Sequence, residues 1–163
     1  MMNKNSLILA FESSCDETGV AIYSTNGEIL ANEVFSQIPL HQQYDGVVPE
    51  LAARDHLTRL PLLLKTALEK ANLSLEDINY IAYTAYPGLL GTLMTGATFA
   101  KSLAYALKIP SLPVHHMEGH LLSPLLSKPK PQLPFLALLV SGGHTQILAV
   151  KEIGNYELLG QTL

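Results

Sequence analysis

The sequence predicts an α/β fold. One complete lobe spans residues 1–130, and residues 131–163 carry the first strands of a second lobe of the same pattern. Three observations predict this. Short apolar runs of strand length alternate with segments of helical spacing. The pattern strand, small polar turn, strand, hairpin, strand occurs twice, and repetition on this scale marks a duplicated unit. Apolar residues make up 48% of the 163, enough for a core, and Gly and Pro are not in excess.

Leu7 to Phe11 is a short apolar run read as a buried strand. The polar turn Glu12 to Gly19 follows, and Val20 to Tyr23 resumes as a second strand. Asn26-Gly27 is a hairpin signal, and Glu28 to Phe35 reads as a third strand. Residues 36–49 read as a loop with Gly46 and Pro49. Glu50 to Ala71 has helical spacing at Leu51, Leu57, Leu60, Leu64 and Leu68, with a kink expected at Pro61. After a turn at Ser74 to Asp77, Ile78 to Ala85 is a strand. Pro87-Gly88 leads into a helix through Leu107, Ser111 to His115 is a short strand, and Met117 to Ser127 reads as helical.

Pro129, Pro131 and Pro134 form a stiff connection, after which the opening pattern returns. Phe135 to Val140 is a strand, Ser141 to Thr145 a turn, Gln146 to Val150 a strand, Gly154-Asn155 a hairpin signal, and Tyr156 to Leu163 a third strand. This predicts a fragment: one lobe and the start of another. The alternative is a single domain of seven or eight strands.

The composition narrows the function classes. The N-terminal apolar run stops at Glu12, too short for a signal peptide, and no stretch reaches the roughly 18–20 apolar residues that span a bilayer. The single Cys15 excludes an intrachain disulfide framework and fits a reducing compartment, so a cytoplasmic protein without membrane association is expected. The net charge of −4 and pI near 5.8 advertise no basic surface for nucleic acid. Either the chain handles small anions locally, or the basic surface lies on a partner or on further sequence.

Four features carry candidate chemistry. The two small-residue turns present backbone N–H groups that suit phosphate oxygens, with Gly142 and Gly143 leaving the backbone open; an ordinary hairpin is the alternative. Gly91 to Thr98 nearly matches a phosphate-binding loop but has Ala97 in place of the lysine, so its glycines are expected to allow close helix–sheet packing. Glu12, Asp16 and Glu17 sit at the end of an apolar strand, where α/β sheets place ligands, and suit proton transfer or cation binding; a solvated loop is the alternative. In His115-His116-Met117-Glu118-Gly119-His120, His116 and His120 are four residues apart and share one helix face. That spacing fits two imidazoles on one metal ion or a hydrogen-bonded, half-buried pair. Glu118 points about 200° around the helix from His116, which disfavours the H-E-x-x-H protease arrangement and suggests a supporting or structural group.

Five motifs together are highly specific: Glu12 to Thr18, Gly46 to Ala52, Pro87-Gly88-Leu89, His115 to His120, and Leu139 to Thr145. On these, and over essentially its whole length, the sequence resembles the N-terminal half of the tRNA N6-adenosine threonylcarbamoyltransferase family, formerly described as O-sialoglycoprotein endopeptidases. One departure is Tyr86, where the family usually has glycine; its bulk is expected to narrow access to the glycine-rich loop. The resemblance implies the actin/Hsp70/sugar-kinase fold, with ribonuclease H-like lobes around a nucleotide cleft. It implies transfer of a threonylcarbamoyl group from threonylcarbamoyl-AMP to N6 of adenosine 37 in tRNAs reading ANN codons. It implies one divalent metal per subunit, Fe²⁺ foremost with Zn²⁺ also compatible with imidazole, held by His116, His120 and an aspartate beyond Leu163. Leu139, Val140, Ser141, Gly142 and Gly143 would line the site for threonylcarbamoyl-AMP or ATP, and Asp16 and Glu17 would give catalytic assistance. The implied partners are tRNA, a paralogous actin-like protein and a small ATPase. Residues 1–163 are then expected to be inactive alone. The rival readings are a metallopeptidase and the non-catalytic paralogous scaffold, which lacks the metal histidines.

Overall fold

The structure is a computed structural model and describes residues 5–140 and 145–162. The chain divides into two compact units, Met1–His116 and Met117–Leu163. This division lies ahead of the proline run at which the sequence repeat begins.

The first unit is built on a five-stranded sheet of order β3-β2-β1-β4-β5. Its strands are β1 (Leu7–Glu12), β2 (Glu17–Ser24), β3 (Glu28–Ser36), β4 (Tyr80–Tyr86) and β5 (Ser111–His115). β1 is central. It pairs antiparallel with β2, from Leu7↔Ser24 to Glu12↔Gly19, and parallel with β4, from Ile8↔Tyr80 to Phe11↔Tyr83. β4 in turn pairs parallel with β5, so β1, β4 and β5 all end at the same edge of the sheet.

The helices α2 (Pro49–Ala71) and α3 (Leu90–Leu107) bury one face of this sheet. Leu9 and Phe11 of β1, Val20 and Ile22 of β2 and Ile81 of β4 meet Leu60, Leu64 and Ala67 of α2 and Ala100 and Ala104 of α3. Alternation along β1 and β2 puts their branched and aromatic residues on this side. The helix stripe differs from the one read from leucines. Ala52, His56, Leu60, Leu64 and Ala67 face the core, whereas Leu57 is 64% exposed. Leu57 lies one residue past His56, about 100° around the helix. A buried histidine thus occupies a position that the apolar pattern assigned to leucine. The helix continues past Pro61 and ends at Asn72, whose left-handed conformation lets Leu73 N–H reach the Leu68 carbonyl.

Two segments are more structured, or differently structured, than predicted. The expected loop at 36–49 contains the short helix α1 (Ile38–His41) and a 3₁₀ turn at Gln42–Tyr44. The expected helix at Met117–Ser127 is α4 (His116–Leu122) followed by a 3₁₀ turn at Ser123–Leu126. Pro124 has no N–H to continue an α-helix, which explains the change.

The second unit contains a three-stranded antiparallel sheet of order β6-β7-β8: β6 (Phe135–Val140), β7 (Thr145–Glu152) and β8 (Asn155–Gln161). Like β1-β2-β3, it is an antiparallel meander of three consecutive strands. The pairing of β2 with β3 shifts once, between Ile22 and Tyr23, whereas that of β7 with β8 shifts twice, between Ile147 and Leu148 and between Val150 and Glu152. Ile22 and Val150 are fully buried, whereas Ile147 is exposed. Among the described residues no helix is long and apolar enough to cross a membrane.

Gly88, between β4 and α3, lies directly against the β1–β2 turn, and a Cβ on it would stand 2.5 Å from the Ser14 carbonyl oxygen. Gly119 in α4 has open space around it. Gly88→Ala is therefore expected to lower stability by about 1–3 kcal/mol through forced backbone displacement. Gly119→Ala is expected to be neutral or stabilising by up to about 1 kcal/mol. Urea denaturation of both variants beside the parent protein measures the difference.

Candidate functional site

The carboxyl ends of parallel strands form the crevice where α/β proteins place ligands. Here that edge gathers Glu12 at the end of β1, Thr84 near the end of β4, and His116 immediately after β5. The turn after β1 is held from several sides. The Ser14 carbonyl accepts from Leu89 N–H at 2.8 Å and from the Thr92 hydroxyl at 3.0 Å. The Cys15 carbonyl accepts from His56 Nε2 at 3.0 Å, and the Asp16 carbonyl from Gln37 N–H at 2.8 Å. Ser13 Oγ donates to the Thr92 carbonyl at 3.0 Å.

Glu12 is the most connected carboxylate of the acidic turn. Its Oε1 accepts Ser14 N–H at 2.6 Å. Its Oε2 accepts the Thr84 hydroxyl and lies 3.3 Å from His116 Nδ1. His116 Nδ1 is also 3.2 Å from Ser14 Oγ. Burial pushes the Glu12 carboxyl up, but hydrogen bonds from Ser14 and Thr84 and the neighbouring His116 outweigh it and hold the group below its ordinary value. The Ser14 N–H that the sequence offered to a phosphate is thus taken by Glu12 within the fold.

The remaining candidates are placed as follows. Asp16 joins the turn through its carbonyl, and its carboxylate lies beside Cys15, whose thiol is pushed up by burial and by Asp16. Glu17 is exposed at the start of β2, lining a cavity on the sheet face opposite α2 and α3. Glu12 Oε2 and Ser14 Oγ lie within hydrogen-bond distance of His116 Nδ1. Leu139 and Val140 end β6; Ser141, Gly142 and Gly143 lie outside the described residues. Tyr86 is exposed and meets His115 edge-on, with ring centroids 4.8 Å apart. Gly96 faces Ser13 with no room for a Cβ, and Gly91 packs on Ala53, so the near-match to a phosphate loop serves helix packing.

α4 carries both His116 and His120. Among the described residues no three His, Cys, Asp or Glu side chains are grouped to hold a metal ion. The donor chemistry nevertheless fits part of a divalent-metal site. Two imidazoles come from one short helix, and the Nδ1 of His116 is backed by a carboxylate, the usual arrangement behind a ligating imidazole. Glu118 is engaged elsewhere. Its Oε1 accepts the Tyr156 hydroxyl at 2.5 Å, and the Tyr156 oxygen accepts Gly154 N–H at 2.8 Å. Burial and Glu118 push the Tyr156 hydroxyl up.

Sequence reasoning missed the histidines that build the site's support. His56 is fully buried on α2. Its Nε2 donates to the Cys15 carbonyl, so its Nδ1, 2.7 Å from Thr18 Oγ1, accepts. His41 donates from Nε2 to Gln37 Oε1 and accepts Val48 N–H on Nδ1. The available signal was the position of His56, four residues before Leu60 on the buried stripe.

The model of the family "TsaD: tRNA N6-adenosine threonylcarbamoyltransferase" matches residues 28–163. The chain belongs to this family. A tRNA N6-adenosine threonylcarbamoyltransferase of Dichelobacter nodosus is 67% identical over 156 residues, and one of Chromobacterium violaceum is 57% identical over 157. Each alignment covers 96% of this chain and 46% of the relative, so the chain spans about half the length of these curated relatives. Among solved structures, YeaZ from Pseudomonas aeruginosa matches with a TM-score of 0.62 at 19% identity, covering 96% of this chain and 66% of that one. A PPX-GPPA enzyme of Aquifex aeolicus matches with a TM-score of 0.51 at 11% identity, covering 96% and 51%. These likenesses show the fold, an actin/Hsp70/sugar-kinase-like lobe.

Burial holds the His56 imidazole below its ordinary value of 6.5. The unfolded chain therefore takes up a proton first as pH falls, and the stability associated with neutral His56 is lost from 6.5 downward toward the lowered folded-state value. Urea denaturation from pH 8 to pH 5 is expected to show falling stability over that window. His56→Gln should flatten the slope while costing about 1–3 kcal/mol at pH 8, because its polar partners are left buried.

Proposed function

We propose that the full polypeptide transfers a threonylcarbamoyl group from threonylcarbamoyl-AMP to N6 of adenosine 37 in tRNAs that read ANN codons. The observation that carries this reading is the 67% identity to a curated tRNA N6-adenosine threonylcarbamoyltransferase across 96% of the chain. In the reaction the N6 lone pair attacks the carbamoyl carbon. A C–N bond forms, the C–O bond to phosphate breaks, AMP leaves, and the displaced N6 proton passes to a base. AMP is a good leaving group, so the main demand is to position a weak nucleophile.

His116 and His120 would hold one divalent metal, Fe²⁺ or Zn²⁺. When bound, that ion supplies Lewis-acid polarisation of carbamoyl or phosphate oxygens. Asp16 and Glu17 would assist from the turn after β1, and Leu139 to Gly143 would contact the nucleotide. With a net charge of −4, the chain leaves room for a paralogous actin-like protein to add tRNA-binding surface, with a small ATPase as further partner. A cytoplasmic site of action fits this chemistry.

The metallopeptidase reading is disfavoured by Glu118, which is bonded to Tyr156. The scaffold reading is disfavoured by the presence of both His116 and His120. The test supplies full-length protein, with its partners, with threonylcarbamoyl-AMP and tRNA, and quantifies modified adenosine by mass spectrometry. His116→Ala and His120→Ala should each lower transfer by at least about 10- to 100-fold and reduce metal content. Undiminished transfer in the double variant would overturn the ligand assignment. Metal-dependent peptide cleavage that is lost in Glu118→Gln would overturn the transferase reading.

A further inference from the structure

We infer that His56 is a positioning residue for the transfer: its imidazole grips the turn after β1 on both sides of Asp16 and Glu17, and so fixes where those two carboxylates stand. The inference rests on the reading of Asp16 and Glu17 as groups that assist the reaction.

The imidazole bridges two points of the turn. Its Nε2 is 3.0 Å from the Cys15 carbonyl, and its Nδ1 is 2.7 Å from Thr18 Oγ1. The residues between those two contacts are Asp16 and Glu17. A carbonyl only accepts, so the proton of neutral His56 belongs on Nε2, and Nδ1 accepts the Thr18 hydroxyl. His56 and Thr18 are both fully buried. An apolar side chain at position 56 would fit the core stripe that runs from Ala52 to Leu60, but it would bond neither the Cys15 carbonyl nor the Thr18 hydroxyl.

A second buried residue completes the grip. Gln37 N–H donates to the Asp16 carbonyl at 2.8 Å. The Gln37 side chain donates to the Ala52 carbonyl at 3.3 Å and accepts from His41 Nε2 at 3.1 Å. Ala52 and His56 lie one turn apart on the buried face of α2, so this helix reaches the acidic turn by two routes. The segment Gly46 to Ala52, within which α2 starts, thereby takes part in holding that turn. Backbone fixed at successive points gives its side chains a fixed origin, and a displacement of about 1 Å from reacting geometry costs about 100-fold in rate.

The test supplies full-length protein, with its partners, with threonylcarbamoyl-AMP and tRNA. Thr18→Val removes the hydroxyl at nearly constant volume, and Thr18→Ser keeps it. Thr18→Val and His56→Gln should each lower kcat by about 10- to 100-fold while KM for both substrates stays within about twofold. Thr18→Ser should recover most of the rate. Hydrogen exchange over residues 12–19 should be faster in the two impaired variants while the amides of β4 keep their protection, which also reports that the variants are folded. Adding Thr18→Val to Asp16→Asn/Glu17→Gln should cost less than about twofold more, because the positioned groups are already gone. Thr18→Val with parent kcat, or with parent exchange over the turn, overturns the inference. So does a loss carried by KM, or one that multiplies in full with that of Asp16→Asn/Glu17→Gln. Parent-level transfer in Asp16→Asn/Glu17→Gln overturns the assistance reading instead, and is recognised separately because hydrogen exchange measures the grip without substrate.

Discussion

The turn between β1 and β2 is the constraint on which the rest of the first unit depends. Three successive carbonyls, those of Ser14, Cys15 and Asp16, accept hydrogen bonds from three separate parts of the chain: the start of α3, the buried His56 of α2, and Gln37 beyond β3. Buried backbone oxygens left without donors would each cost about 1–3 kcal/mol, so these contacts bind local geometry to tertiary structure. The glycines follow from the same demand. Gly88 and Gly96 bring the β4–α3 connection and α3 itself close enough to reach the turn.

The histidines differ in their surroundings. His56 and His41 are buried, and each has both ring nitrogens engaged within the fold. Among the described residues no buried side-chain nitrogen or oxygen lacks a partner. His116 stands at the strand-end edge of the sheet with its Nδ1 turned to Glu12 and Ser14. The six-residue cluster His115 to His120 is therefore not a single functional block. His115 packs on Tyr86, His116 faces the acidic turn, and Glu118 belongs to a hydrogen bond with Tyr156.

The second unit repeats the antiparallel three-strand meander of the first, with register shifts at different places in the two copies. The repeat retains the strand pairing while the surroundings differ. In the first copy the inner face is covered by α2 and α3, whereas Leu136, Leu138 and Val140 of β6 are exposed. With relatives about twice as long as this chain, the proposed chemistry belongs to the whole polypeptide.

The sequence by itself determined the strand and helix order, the duplication, the i,i+4 spacing of His116 and His120, and the misplacement of Glu118 for a protease. Each of these rests on local periodicity, and periodicity survives without tertiary information. Only the tertiary structure decided which leucines of α2 enter the core and that His56 lies among them, because that depends on the rotation of the helix over the sheet. It also decided that Glu12 reaches His116. The two are separated by 104 positions in the chain, and they meet because β1, β4 and β5 run parallel and end together. Spacing along a sequence carries no record of such pairing; the sheet's hydrogen-bond register creates it.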